Sequence, residues 1–252
     1  MTATIDRGAA TTSVAPHAAQ KNPPTRRRPG FFASSNGKKA VMAVTGAVLV
    51  LFLLGHMVGN LKAFFGADAF NHYAEWLRTM GSPAVPYRVL LTVVEIALVV
   101  AVVLHMWSAV SLARRAAQAR PVKYAAKRKS QANGYATHTM RYGGVIILLF
   151  VIWHLLDMTF GAVNPKGFDA DPYDRLVAGF DPSRWWVTLF YVVAMIMVGL
   201  HLRHGLWSAF QTLGLAGGRS YGKLKAGAAL VSLVLVVGFL AVPVGVMIGV
   251  IK

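Results

Sequence analysis

The chain has 252 residues, of which 56% are hydrophobic and 14% charged, and it carries a formal net charge of +17. Soluble domains are about half apolar and about a quarter charged, so this composition argues against a single water-soluble globule. The 26 Lys and Arg against 9 Asp and Glu would suit a nucleic-acid binder, but in so apolar a chain they favour loops on one side of a membrane. The absence of cysteine excludes disulfides, zinc–thiolate sites and iron–sulfur clusters ligated by this chain.

The first 30 residues have almost no large apolar side chains and include the basic run Arg26 to Arg28. Such a segment cannot bury enough apolar surface to fold alone, so residues 1–30 are predicted to be a disordered basic arm. It does not fit a cleaved signal peptide, because the apolar run that follows is too long and lacks a small-residue cleavage pattern. Residues 31–252 are predicted to form one transmembrane domain.

Five apolar stretches are each long enough to cross a bilayer, which takes about 20 helical residues. They run approximately over residues 39–61, 87–112, 140–162, 185–213 and 224–250. Lipid cannot satisfy backbone amides, so these spans should be helices. The sequence therefore predicts an all-α membrane protein with five transmembrane helices, and Pro243 predicts a kink in the fifth.

The basic residues are distributed unevenly between the two predicted sides. Eighteen lie before the first span or in the second and fourth connections, against seven on the opposite side. Cytoplasmic loops carry an excess of Lys and Arg, so the N-terminus is predicted to be cytoplasmic.

The first four spans each contain a histidine, namely His56, His105, His154 and His201, and His204 follows one turn after the last. Ionisable side chains at membrane depth are costly and usually face a bundle interior. His56 and His154 lie about 17 and about 14 residues into helices that run outward, so both reach an outer level. His105 and His201 lie in inward-running helices and both reach an inner level.

Two histidine pairs at two depths suit two bis-histidine haems in a four-helix bundle, beside which the fifth helix packs. A zinc site would gather about four ligands at one place, and a proton relay would mix histidines with carboxylates. Each histidine taken singly could instead be a neutral imidazole bonded to a neighbouring helix. Glycines near the ligands could make room for porphyrin or let helices approach closely: Gly55, Gly59, Gly143, Gly144, Gly199 and Gly205.

Other polar groups near the histidines have two interpretations each. His204 competes with His201 as the fourth ligand, or could hold a haem propionate. The cations Arg203, Arg114, Arg115 and Arg141 could pair with propionates or be ordinary cytoplasmic-side charge. Glu95 could carry protons or bond to a neighbouring helix, while Asp157 lies near the outer end of its helix, where partial hydration is the simpler explanation.

Four motifs together resemble one family. They are Gly55-His56-Met57-Val58-Gly59-Asn60 followed by Ala69-Phe70-Asn71, then Phe150-Val151-Ile152-Trp153-His154 and His201-Leu202-Arg203-His204-Gly205-Leu206-Trp207-Ser208, with Ser34-Ser35-Asn36-Gly37-Lys38-Lys39 to Thr45-Gly46 before the first. This combination resembles the cytochrome b558 subunit of succinate dehydrogenases, in the five-helix, two-haem, single-chain form of menaquinone-using bacteria. The resemblance covers roughly residues 31–250.

The resemblance implies a multi-pass protein of the bacterial cell membrane that holds two haems b. It implies that haem iron is bound by His56 with His154 at the outer level and by His105 with His201 at the inner level, with His204 as second choice. It also implies two partner chains, a flavoprotein that carries FAD and oxidises succinate, and an iron–sulfur protein docked on the cytoplasmic face.

The family's quinone site uses an acidic residue near the outer haem. Glu75 is the nearest match, with His72 and Arg78 beside it on a segment over residues 71–80, which could equally be an interfacial amphipathic helix with solvated charges. A second quinone pocket near Ser34 and Lys38 is expected by analogy with related complexes.

The resemblance thus predicts a membrane anchor that relays electrons from the iron–sulfur chain through two haems to menaquinone. The alternatives are the anchor of a quinol:fumarate reductase, a purely structural anchor with one haem or none, and, from another class, a cofactor-free transporter that uses the histidines for protons. The resemblance leaves a higher oligomer of the complex open.

Overall fold

The computed structural model describes residues 30–119, 134–218 and 220–252. Within them the chain is helical, and the predicted arm before residue 30 lies outside the described residues. Short 3₁₀ segments lie at Phe31–Ala33, Lys62–Phe65 and Pro182–Arg184, and a π-turn at Leu155–Thr159. The α-helices are α1 Ser35–Leu61, α2 Ala67–Thr79, α3 Val89–Gln118, α4 Gly134–His154, α5 Pro172–Gly179, α6 Trp185–Thr212 and α7 Ser220–Met247.

Five helical segments of the described chain are long and apolar enough to cross a membrane: Ser35–Phe65, Val89–Gln118, Met140–Thr159, Pro182–Thr212 and Ser220–Met247. They confirm the predicted all-helical architecture with five spans. Helices α1 and α3 extend beyond the predicted apolar stretches because polar residues at their ends continue the helical hydrogen bonding. Pro243 lies inside α7, which continues to Met247, and the kink there stays a prediction.

Helix α7 is an integral part of the bundle. It packs against α1 and α6, while α6 also packs against α4 and α1 packs against α3. Leu235, Val242 and Val246 of α7 are buried in the same hydrophobic cluster as Met57 of α1 and Val198 of α6. The fifth helix therefore helps to fix how α1 and α6 lie relative to each other.

The contact between α6 and α7 depends on a small residue. A Cβ atom added to Gly199 would lie 2.5 Å from Cγ2 of Val236, whose β-branched side chain has little freedom to move. We expect Gly199→Ala to destabilise the protein by about 1–3 kcal/mol through overpacking. The measurement is the thermal unfolding midpoint in detergent.

Gly227→Ala is the matched control for that prediction. A Cβ on Gly227, also in a membrane helix, meets no described atom within 4 Å, and alanine is the better helix former by about 1 kcal/mol. The control should be unchanged or more stable, and equal midpoints for the two variants would contradict the close packing at Gly199.

Two short helices cover one end of the bundle, where α1, α4 and α7 all end. Helices α2 and α5 pack together there. The side-chain oxygen of Asn71 accepts a hydrogen bond from the Tyr173 backbone N–H at 3.1 Å, and the Tyr173 hydroxyl donates to the Lys252 carbonyl at 3.0 Å. The Asn71 position in the sequence motif thus serves to join α2 to α5.

Candidate functional site: two histidine pairs

Four histidines of the spans form two close ring pairs. The ring centroids of His56 and His154 lie 5.8 Å apart, and those of His105 and His201 lie 6.2 Å apart. The structure therefore brings together the residues that the depth argument paired. We call His56 and His154 the outer pair, and His105 and His201 the inner pair, after the predicted orientation.

Each pair bridges two helices that do not pack closely. The outer pair joins α1 to the end of α4, and the inner pair joins α3 to α6. In the described chain the closely packed helix pairs include α1 with α3, α4 with α6 and α6 with α7, but neither α1 with α4 nor α3 with α6. The imidazoles therefore reach toward each other across gaps between helix backbones.

The inner pair includes a histidine whose tautomer can be deduced. Nδ1 of His105 lies 3.2 Å from the carbonyl oxygen of Met42 and 3.3 Å from Oγ1 of Thr45, both on α1. A carbonyl can only accept, so Nδ1 carries the proton and Nε2 has a free lone pair, as in metal-ligating histidines. A Cβ on Gly46 would lie 3.4 Å from the His105 ring, so this glycine gives the ring space beside α1.

His201 completes the inner pair. Its Nδ1 is buried and has no hydrogen-bond partner among the described atoms. His204 is half-buried one turn further along α6, and the ring that faces His105 is that of His201.

The outer pair is enclosed by aromatic rings. The His154 ring stacks on Phe150 at 5.7 Å, the His56 ring stacks on Phe52 at 5.2 Å, and Phe239 of α7 lies 5.8 Å from His56. Nδ1 of His154 lies 3.2 Å from the hydroxyl of Tyr191 on α6. This contact leaves Nε2 of His154 available as a ligand.

A buried polar cluster lies directly after His154, in the π-turn Leu155–Thr159. Asp157 is fully buried, and its Oδ1 lies 3.4 Å from Nη2 of Arg184 and accepts a hydrogen bond from Asn164 at 3.2 Å. We call Asp157, Asn164 and Arg184 the outer latch. Full burial shows that hydration was the wrong explanation for Asp157. Glu95, by contrast, is half-exposed and pairs at 3.3 Å with Arg88 just before its own helix.

The glycines near the histidines divide into two groups. A Cβ on Gly59 would collide with the Tyr73 ring, and one on Gly199 would collide with Val236, so these two allow close packing. The other group has no described atom within 4 Å of an added Cβ, which leaves room beside the helices: Gly55, Gly143, Gly144 and Gly205.

One of the four arginines that were candidates to pair with haem propionates already has other partners. Arg115 donates to Oγ of Ser35 at 3.1 Å and to the Ala33 carbonyl at 2.6 Å, so it ties α3 to the start of α1. Arg114, Arg141 and Arg203 are exposed. Their described contacts favour neither propionate binding nor ordinary surface charge.

Both residues predicted for the second quinone pocket, Ser34 and Lys38, make contacts within the protein. Oγ of Ser34 accepts a hydrogen bond from the Gly37 backbone N–H at 2.9 Å and caps α1. Lys38 places Nζ 5.0 Å from the centroid of the Trp107 ring. A quinone role for this pair stays a prediction.

The residues predicted for the first quinone site, Glu75, His72 and Arg78, lie on α2. A helix in this segment is therefore confirmed. Glu75 and Arg78 approach to 3.6 Å. His72 faces an open groove of about 340 Å³ with Lys62, Ala69, Tyr73 and Trp76, which Glu75 does not line. Arg78 also lies near Arg175 of α5, where burial and then the Arg78 charge lower the pKa of the Arg175 guanidinium, opposed by Asp171.

The residues present fit two haem groups better than two ordinary metal sites. No cluster of three or more His, Asp or Glu suited to a metal ion occurs among the described side chains of residues 30–119, 140–218 and 220–252. A haem iron needs only two side chains from the protein, the number that each pair would offer. The ring centroids lie 5.8 and 6.2 Å apart, so the two imidazoles of each pair are close enough to hold one group between them.

Comparison with known proteins identifies one relative. Over 165 residues the chain is 27% identical to the succinate dehydrogenase cytochrome b558 subunit of Bacillus subtilis (strain 168). The aligned region covers 66% of this chain and 73% of the relative. No family model matches the chain, and no solved structure matches it.

Proposed function

We propose that this chain is the membrane-anchor cytochrome b subunit of a succinate:quinone oxidoreductase. The observation that carries the proposal is the arrangement of the histidines in two ring pairs, His56 with His154 and His105 with His201. The relative named for the same subunit of succinate dehydrogenase supports it independently. The FAD and iron–sulfur chemistry that feeds such an anchor belongs to partner chains, in agreement with the absence of cysteine here.

The four histidines would hold two haems b through Nε2, and each bound haem supplies a carrier for one electron. Both protein ligands of each iron come from helices that the bundle already fixes. For His105 the second ring nitrogen is held by Met42 and Thr45, which keeps the ring directed at His201. A haem held by both imidazoles of a pair would be closed to oxygen, so the chemistry that it would supply is electron transfer.

The separation of the two levels suits a relay across the membrane. His105 contacts Thr45 of α1, and the outer ligand His56 follows eleven residues later on the same helix. At 1.5 Å per residue this places the levels about 16 Å apart along the axis. The inner pair would receive electrons on the cytoplasmic side and the outer pair would pass them toward menaquinone.

The partner surface and the quinone site follow from charge and position. The excess of basic residues on the predicted cytoplasmic side would dock the iron–sulfur chain. Quinone would bind beside the outer pair, where His72 lines an open groove with the Tyr73 and Trp76 rings, and Glu75 with Arg78 would supply protons from the adjacent surface of α2.

The test is the haem content of the complex purified from membranes with its partner chains. We expect two b-type haems per copy of this chain and a reduced-minus-oxidised absorbance difference of b type that succinate elicits. A preparation with no b-type absorbance would overturn the proposal. A ratio of one haem per chain would reduce it to a single-haem anchor.

A further inference from the structure

Tyr191 lies outside the histidine pairs but contacts one of the predicted haem ligands. Its hydroxyl lies 3.2 Å from Nδ1 of His154. The Tyr191 ring is buried, with Phe180 edge-on at 4.8 Å and Phe150 edge-on at 5.0 Å. These rings leave the hydroxyl little freedom to move away from His154.

The outer latch joins the π-turn after α4 to the start of α6, and it lies nearer the end of the bundle than the contact of Tyr191 with His154. Arg184 is the residue just before α6, and Tyr191 follows in the second turn of that helix. Asp157 follows His154 by three residues in the π-turn. Two polar contacts therefore join these elements, His154 with Tyr191 at 3.2 Å and Asp157 with Arg184 at 3.4 Å.

Arg184 also secures the loop between the two elements. Its guanidinium donates to the backbone carbonyl of Gly179 at 3.2 Å and to that of Val163 at 3.2 Å. Asn164 bridges Asp157 and the Arg175 carbonyl at 3.2 and 3.0 Å. The π-turn after His154 is thus fixed by charge and by backbone contacts, and π-turns of this kind often occur at functional sites.

We propose that Tyr191 is the positioning residue of the outer pair, and that the outer latch keeps it in reach of His154. The inference rests on the proposed function, because it concerns how His154 presents Nε2 to a haem iron. When Nε2 is the ligand, Nδ1 carries the proton, and this N–H donates a hydrogen bond to the Tyr191 oxygen. Such a contact orients the ring and raises the basicity of the ligand.

The inner pair is built differently, which provides an internal comparison. Nδ1 of His105 lies beside a backbone carbonyl, that of Met42, as well as Oγ1 of Thr45, whereas the described partner of Nδ1 of His154 is the Tyr191 hydroxyl. Removal of the Tyr191 hydroxyl should therefore change the outer haem and leave the inner haem as it is.

The experiment is a redox titration of the purified complex carrying Tyr191→Phe, followed by absorbance and by low-temperature electron paramagnetic resonance. Loss of the hydrogen bond makes His154 a weaker donor to ferric iron, so we expect the potential of the outer haem to rise. A threefold to tenfold change in relative ferric affinity corresponds to about 28–59 mV for one electron. The resonance of the outer haem should also shift.

Tyr173→Phe is the matched control. Tyr173 is equally buried near the same end and its hydroxyl makes one hydrogen bond, to the Lys252 carbonyl, but it forms no hydrogen bond with a described histidine. It should leave both potentials unchanged. Arg184→Lys is the second variant, since it keeps the charge beside Asp157 but loses the forked contacts, and it should shift the outer haem alone.

The outcomes separate this inference from the proposed function. An outer potential and resonance equal to wild type in both Tyr191→Phe and Arg184→Lys would overturn the inference while leaving the haem proposal intact. Loss of the outer haem alone in Tyr191→Phe, with both haems kept in Tyr173→Phe, would support it. Absence of b haems from the wild-type complex would instead overturn the proposed function.

Discussion

Replacement of His56 or His154 by alanine is expected to remove one of the two haems from the purified complex, and replacement of His105 or His201 to remove the other. The two imidazoles of each pair, with ring centroids 5.8 or 6.2 Å apart, would hold one haem together, so loss of either imidazole should release that haem. Haem content should fall from two to one per chain in each variant. The two members of a pair should lose the same spectral component, and members of different pairs should lose different components.

His204→Ala and His72→Ala are the controls for these variants. His204 lies one turn from His201 without being the ring that faces His105, and His72 is exposed on α2. Both variants should keep two haems. Haem loss in His204→Ala with retention in His201→Ala would show that the fourth ligand had been assigned to the wrong residue, and unchanged haem content in all four ligand variants would contradict the site.

Arg184→Ala is expected to destabilise the protein more than the overpacking variant Gly199→Ala does. It would leave the Asp157 carboxylate without its counter-ion. This carboxylate is fully buried, and its Oδ2 has no hydrogen-bond partner among the described atoms. Removal of one partner of a buried ion pair costs about 3–5 kcal/mol. The unfolding midpoint of the purified complex in detergent should fall well below that of wild type.

Arg88→Ala tests whether the loss of any ion pair destabilises the protein as much as Arg184→Ala does. Arg88 and Glu95 form a pair of similar length whose side chains are 49% and 48% exposed, and exposed pairs contribute at most about 1 kcal/mol. A double variant, Asp157→Leu with Arg184→Met, should recover much of the lost stability, because it removes both charges. Equal destabilisation by Arg88→Ala and Arg184→Ala would contradict the burial of the outer latch.

The spans and their polar interruptions were predictable from the sequence because lipid imposes a simple rule. A segment of about 20 apolar residues can satisfy its backbone in a bilayer only as a helix. Helical rise then converts position along the chain into depth, and depth alone pairs His56 with His154 and His105 with His201. The motif Thr45-Gly46 marked the place where His105 meets α1, although its contact was not predicted.

Contacts that depend on rotation about a helix axis were decided only by the tertiary structure. Depth along the axis says nothing about which side of α6 faces α4, so the contact of Tyr191 with His154 was missed. The role of Arg184 was missed because it depends on the turn just before α6. Asp157 was correctly placed near the end of its helix but was predicted to be hydrated. Its burial arises from a π-turn and from residues of the following loop. The place of α7 against α1 and α6 was likewise decided by packing, since it depends on complementary shapes such as Gly199 against Val236, which hydropathy does not encode.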